Sequence, residues 1–260
     1  MTREIPLDVD LGEIRPADLD ALVSGLHPAD DDSRLTYNLA LIRELGRPER
    51  ITALLKDYLS DPAALAVIAD RSYRHVNHFD KIVLVDTDNG GYRLTLHLWS
   101  PPYSEKELHD ELIHDHRFSF WSTILTGRLV SQNFSKQESP GAVNFRQYRY
   151  SPEKLGTASV GNFYEFVGDT RLTMTDQAVE SQGNAYHLQY HRIHRVALPL
   201  EAMVCTLVLR GPRERTFSNV YNTAYPSTNT QNGNVMFSVP ELTEKLERLK
   251  ATIERTRADA

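Results

Sequence analysis

Two histidines one residue apart, His114 and His116, are the residues of this chain best spaced to do chemistry. In an extended segment residues i and i+2 share a face, so both imidazoles would aim at one point while Asp115 between them points away. Two neutral imidazoles on one face are a ready ligand pair for a first-row divalent metal. A lone H-x-H is common and more often structural, so a third ligand is what would make it a site. Downstream, Tyr190-His191-Arg192-Ile193-His194-Arg195-Val196 offers two further imidazoles. Either would complete a facial set and leave the remaining positions for substrate and oxygen.

The rest of the chain must position these groups. Its 260 residues allow one large domain, or one domain with a helical extension. Hydrophobic content of 40% and charged content of 25% are ordinary for a globular protein. A formal charge of −6 gives no electrostatic case for nucleic acid. Cys205 is the one cysteine, so no intrachain disulfide forms, which fits a reducing compartment. The charged N-terminus has no apolar core of a secretory signal, and no stretch is long and apolar enough to span a bilayer. A cytoplasmic protein that does not engage membranes, monomeric or homodimeric, is the expectation.

Residues 16 to about 75 read as four helices. Pro16 opens the first, with Leu19, Leu22 and Leu26 inward. Asp30 to Ser33 gives cap candidates for the second, which carries Leu35, Leu39, Ile42 and Leu45. Pro48 precedes the amphipathic set Ile51, Leu54, Leu55, Tyr58 and Leu59. Asp61-Pro62 caps a fourth helix with Leu65 and Ile68 inward. The texture changes near Lys81. Strand 81–86 is followed by Thr87-Asp88-Asn89-Gly90-Gly91, strong hairpin-turn chemistry, and by a return strand from Tyr92 to Trp99. A charged loop then leads to His114. Beyond it, short strands fall near 121–125, 128–134, 144–150, 162–167, 171–175, 183–189, 193–198 and 203–210, with turn signals at Gly127, Ser139-Pro140-Gly141, Gly168-Asp169 and Gly183-Asn184. Evenly spaced short strands indicate a mainly β sandwich or barrel. Residues 218–234 read as a long loop containing Tyr221 and Tyr225, of the kind that covers a site. Ser238-Val239-Pro240-Glu241 is a capping-box signature for a last helix, with Leu242, Leu246, Leu249 and Ile253 as a core or dimer stripe.

Four segments make the chain resemble a cupin, and within cupins the cysteine dioxygenase (thiol dioxygenase) family. They are the Asn89-Gly90-Gly91-Tyr92 hairpin with its strand to Trp99, Ile113-His114-Asp115-His116 with the close Leu125-Thr126-Gly127-Arg128-Leu129, Ala185-Tyr186 with His194-Arg195-Val196, and Leu207-Val208-Leu209-Arg210-Gly211-Pro212. The resemblance covers about residues 80–212. It implies a double-stranded β-helix, or jelly-roll β-sandwich, at 79–212. A helical extension, 1–78, would pack on it, and 213–260 would supply a covering loop and a C-terminal helix. It also implies a mononuclear Fe(II) held by His114, His116 and His194, the H-R-V match deciding for His194 over His191. Many cupins add a glutamate ligand after the second histidine; none lies between His116 and Gly127, which favours three histidines. An all-neutral set leaves the iron its full charge, so an anionic substrate should bind well.

The family pattern is also broken in places. The substrate-clamping arginine of the family falls on Ile82, with Lys81 beside it. Its serine-histidine-tyrosine chain meets Thr206, Val208 and Arg210, and its crosslinking cysteine meets Ser119 or Phe120. These departures argue against cysteine itself as substrate. By the same resemblance Arg93, Thr95, His97 and Trp99 face inward. His97 is then a candidate acid/base or hydrogen-bonding group, the alternative being a satisfied core histidine. Arg93 and Arg210 are candidates for binding a substrate carboxylate, with Trp99 beside them; for Arg93 a salt bridge at the rim is the simpler reading. The expected activity is an Fe(II)-dependent oxygenase using dioxygen on a small polar, amino-acid-like or thiol substrate. The alternatives are another metal-dependent cupin enzyme, an isomerase or lyase, or a non-enzymatic small-molecule-binding cupin.

Overall fold

Local sequence accounts for the ends of the first helices, α1 (Pro16–Ser24), α2 (Asp31–Leu45), α3 (Pro48–Ser60) and α4 (Pro62–Ala69). Proline opens α1, α3 and α4, where its missing N–H has no intrahelical partner to lose. The Asp61 carboxylate accepts the Ala63 and Ala64 N–H groups and caps α4. The computed structural model describes residues 11–12, 14–26, 31–87, 91–137, 139–151, 164–226 and 234–258. The cap candidate Asp30 and turn residues 88–90 lie outside them.

The strands are β1 (Tyr73–Arg74), β2 (Asp80–Asp86), β3 (Arg93–Trp99), β4 (Ile113–His114), β5 (Phe120–Thr126), β6 (Arg128–Ser135), β7 (Val143–Tyr150), β8 (Tyr164–Ser181), β9 (Ala185–Leu188), β10 (Ile193–Ala197), β11 (Val204–Arg210) and β12 (Ser218–Asn222). They form two antiparallel sheets. One runs β1-β2-β3-β11-β5-β9; the other, β10-β4-β12-β7-β8-β6, closes on itself through the β6–β10 pairing. The chain passes repeatedly between them, and Trp99 of β3, Ile124 of β5, Tyr186 of β9 and Val204 of β11 pack with Leu129 of β6 and Val196 of β10. This is jelly-roll winding, in a mainly β fold with helices at both ends, as the sequence implied. Gly127 turns one of the corners: its φ is 72°, and a Cβ there would lie 2.9 Å from the Met203 carbonyl oxygen.

Alternation along the first sheet separates two faces. Ile82, Leu84, Leu94, Leu96, Leu207 and Leu209 share a core with α1–α4 and with α6 (Val239–Ala258). On α6, Leu242, Leu246, Leu249 and Ile253 are exposed by no more than 1%, so the stripe is core and not a dimer seam. Its capping box is formed: Ser238 N–H donates to Glu241 Oε2 at 2.8 Å and Glu241 N–H to Ser238 Oγ at 3.4 Å. The opposite face carries the polar residues of β3 and β11 toward the sandwich interior.

Three sequence expectations need correction. The strands expected at 162–167 and 171–175 are one strand, β8. Gln147 pairs with Gly168 but Tyr148 with Phe166, so Gly168 sits in a bulge that bends the strand without ending it. The charged loop before His114 contains α5 (Glu105–His109), because Ser104 and Glu107 form a reciprocal capping box. The covering loop expected at 218–234 begins as β12: Asn219 and Tyr221 are its buried positions, and Val220 and Tyr221 pair with both β4 and β7. Tyr221, 1% exposed, packs with Ile113 and Leu172 and is core. Among the described residues no helix is long and apolar enough to cross a membrane.

Gly46, between α2 and α3, lies against the buried Thr123 methyl of β5, which a Cβ would overlap. Gly46→Ala should cost about 1–3 kcal/mol of stability through overpacking, measured as a lowered urea midpoint.

Candidate metal centre

The pairing of β4 with β10 places His194 directly opposite His114. His116 follows two residues on, its N–H held by the Tyr190 carbonyl at 2.8 Å. His116 Nε2 and His194 Nε2 are 2.8 Å apart, and the ligand atoms of all three histidines lie within 4.8 Å of one another. Second partners fix the rings. His114 Nδ1 is 2.8 Å from the Leu112 carbonyl, which can only accept, so Nδ1 carries the proton and Nε2 the lone pair. His194 Nδ1 is 3.3 Å from Ser131 Oγ. Leu112 itself has φ 55°, a left-handed conformation costly for leucine, and its carbonyl is the one that sets the His114 tautomer.

Burial disfavours the charged form of all three imidazoles and lowers their pKa values. For His116 and His194 the neighbouring imidazoles push further, to well below the ordinary value. Three neutral, convergent nitrogens, those of His114 and His194 on rings with a second partner, are the donor set a first-row divalent ion requires. Asp115 points to the other side, 3% exposed, where Arg215 and Asn219 hold its carboxylate.

The interior face of the first sheet lies beside this cluster. Strand register sets Lys81 opposite His97, His97 opposite Thr206, and Arg93 opposite Arg210. His97 Nε2 is 3.1 Å from Thr95 Oγ1 and its ring stacks on Phe79 at 4.3 Å. Burial and the Lys81 charge hold it well below the usual histidine pKa. Trp99 is 4% exposed and packs on Phe79 at 5.0 Å; its Nε1 has no hydrogen-bond partner among the described residues. The Arg93 guanidinium is engaged by Asp86 through two bonds of 2.7 and 2.5 Å, so it is half of an ion pair and not a free clamp. Arg210 is 5% exposed, donates to the Gly91 carbonyl at 2.5 Å and lies 5.2 Å from the Phe118 ring centre, while its Nε has no partner among the described residues. Its pKa is pushed down to about 10 by burial and by Arg93.

Of the competing histidines, His191 is exposed and His109 donates toward Glu105 on the surface, whereas His187 stacks on Trp121 at 4.9 Å. Tyr225 is 40% exposed and meets Tyr148 and Tyr164 edge-on, its hydroxyl accepting the Tyr164 N–H at 3.0 Å.

Sequence reasoning passed over several neighbours. Lys81, not Ile82, faces the interior; its ammonium is 5.9 Å from the Tyr73 ring centre and its pKa is pushed down to about 7 by burial and by Arg93, Arg210 and Arg117. Ile82 is fully buried on the helix side. Asn77 Nδ2 is 3.3 Å from His114 Nε2. The signal for it was the run His75-Val76-Asn77-His78, three ligand-type side chains in four residues, at the end of a stretch read as helices without ligand clusters.

No protein-family model matches the chain, and no curated relative matches it. Solved structures that align with it include hydroxypropylphosphonic acid epoxidase from S. wedmorenis in complex with fosfomycin, at 9% identity and TM-score 0.32 over 54% of this chain and 53% of that one. A cupin-like protein from Thermotoga maritima aligns at 8% identity and TM-score 0.28 over 60% and 84%. Hydroquinone 1,2-dioxygenase in complex with Cd2+ and 4-hydroxybenzonitrile aligns at 16% identity and TM-score 0.28 over 58% and 72%. The chain spans about half the length of the epoxidase.

His114→Ala and His194→Ala should each abolish stoichiometric metal binding in a folded protein, and the exposed His191→Ala should keep it; metal analysis after dialysis reads all three. A second expectation concerns pH. Histidines 75, 97, 114 and 116, half-buried, and the buried His194 have folded pKa values below the unfolded value near 6.5. Below that pH the unfolded chain takes up protons that the folded chain does not. Metal-free protein should therefore lose stability as pH falls from 7.5 to 5, seen as a falling urea midpoint.

Proposed function

We propose that this chain is a cupin-type, Fe(II)-dependent oxygenase acting with dioxygen on a small anionic substrate of amino-acid or thiol type. The observation that carries the reading is the convergence of His114, His116 and His194, neutral and with the His114 tautomer set by the Leu112 carbonyl, at the interior of a jelly roll. Bound iron would supply the electron-transfer chemistry toward dioxygen that no side chain offers. The protein's own groups do the rest. Lys81, Arg93, Arg117 and Arg210 act electrostatically on one another, and Asp86 is the acid whose charge opposes theirs on Lys81 and Arg210. That excess of positive charge selects an anion and orients it. Arg210, whose Nε–H has no partner among the described residues, is the group best prepared to bind a carboxylate. His97, held neutral, can hydrogen-bond a substrate group. Phe79, Trp99 and Phe120, all buried, help keep water out. The resemblance of Ile113-His114-Asp115-His116 and His194-Arg195-Val196 to thiol dioxygenases supports a thiol as the first substrate class to try. The inward lysine in place of the family's arginine supports one other than cysteine.

The test is oxygen uptake by protein reconstituted anaerobically with Fe(II), offered a panel of small thiols and amino acids. One iron per chain and uptake triggered by a particular anionic compound are expected. No metal bound under any reconstitution would overturn the reading. With that substrate, Arg210→Gln should raise KM by about 10-fold or more, the worth of a hydrogen bond to a charged group.

A further inference from the structure

We infer that Asn77 is a fourth ligand of this metal centre, its side-chain oxygen joining the three histidine nitrogens. The inference rests on the metal-centre reading above. Its starting point is a competition for one lone pair. The Leu112 carbonyl obliges His114 to carry its proton on Nδ1, so Nε2 is the free acceptor. In the metal-free chain the Asn77 amide, 3.3 Å away, donates to that nitrogen. A bound ion takes the same lone pair, and the amide N–H is then left pointing at a cation. Rotation of the amide exchanges Nδ2 for Oδ1 at nearly the same place and turns a repelled donor into an oxygen ligand. The spacing suits this. Two donors each about 2.1 Å from an ion, and adjacent around it, are about 3 Å apart. The His116–His194 pair stands at 2.8 Å and the Asn77–His114 pair at 3.3 Å.

The turn that carries Asn77 is fixed from several sides. His75 N–H donates to the Phe79 carbonyl at 2.8 Å and His78 N–H to the His75 carbonyl at 3.0 Å. Asn77 N–H donates to His75 Nδ1 at 3.2 Å. The His78 ring reaches Asp110 at 2.8 Å and Glu107 at 3.4 Å, which ties the turn to α5. His78 has φ 60°, and among the described residues it and Leu112 are the non-glycine positions with positive φ. One adjoins Asn77; the other sets the His114 tautomer. Backbone strain of this kind persists where surroundings over-determine it, and it gathers at binding sites. An amide ligand adds no charge. The four-donor set remains neutral, and a six-coordinate ion keeps two positions for incoming groups.

The test uses metal-stripped full-length protein and Mn(II) as the probe, reading affinity and, from water-proton relaxivity, the number of exchanging waters on the ion. Wild type, Asn77→Ala and Asn77→Asp are compared after their metal-free melting curves have been matched. Asn77→Ala is expected to bind about 10-fold more weakly or worse and to carry one more water than wild type. Asn77→Asp is expected to bind more tightly than wild type with the same water count. Wild-type binding with an Asn77→Ala variant unchanged in affinity and hydration overturns the fourth ligand and leaves the three-histidine centre standing. Failure of wild type to bind overturns both. Should Asn77→Ala not fold, Asn77→Asp decides, and binding no tighter than wild type counts against the ligand.

Discussion

The geometry of the centre depends on the burial of one carboxylate that faces away from it. Asp115 stands between His114 and His116 and is 3% exposed, an environment in which a charge persists only with partners. Those partners are the Arg215 guanidinium and the Asn219 backbone N–H and side-chain amide, each Asn219 bond 2.6 Å long. Arg215 also donates to the His116 carbonyl at 2.8 Å, and Asp115 N–H to the Asn219 carbonyl at 3.0 Å. The backbone on both sides of Asp115 is thereby fastened to β12 and the segment before it. Alternation then leaves the flanking imidazoles no direction but inward. The ligand pair is aimed by what its middle residue binds.

The two faces of the first sheet divide the work of the fold. Its outer face carries aliphatic side chains that merge with the helices into one core. Its inner face carries Lys81, Arg93, His97 and Arg210 at register positions that oppose one another. Like charges directly opposed across strands are unfavourable. Asp86 relieves Arg93, the Gly91 carbonyl takes one Arg210 N–H, and the large helix-facing core outweighs the rest. Apolar packing and the charged interior thus sit on opposite sides of the same strands.

Much of this was legible in the sequence. Period-3.6 patterns with proline and aspartate at the starts gave the helices, and Ser238 with Glu241 gave the entry to α6. His114-x-His116 with a distant third imidazole marked the centre. Parts set by pairing and not by local pattern were not legible. Gly168 reads as a turn, yet pairing with β7 on either side of the bulge carries β8 through it. Arg93 was weighed as a clamp before Asp86, across the hairpin, could be seen to hold it. Lys81 and Ile82 differ by one residue, and one residue reverses the face; a two-residue strand ahead of them and a bulge between Val83 and Val85 place that register beyond sequence reading. Asn77 belongs to a turn whose conformation rests on tertiary ties to α5.

Closure of the second sheet into a ring bears on how copies of this chain can meet. The ring closes through β6 and β10, yet β8 is laddered to one strand at a time, residues 164–172 to β7 and 173–181 to β6, so its other side is an edge of the kind that can template a foreign strand. In the first sheet the edges are β1, two residues long and bridged to Met236 through Tyr73, and β9, four residues long. Edges that short support little strand addition, so at the first sheet contact between copies would fall to side chains on faces and loops. Association of that kind is tuned by single surface substitutions, and it leaves the hydrogen-bond ladders around the three imidazoles undisturbed.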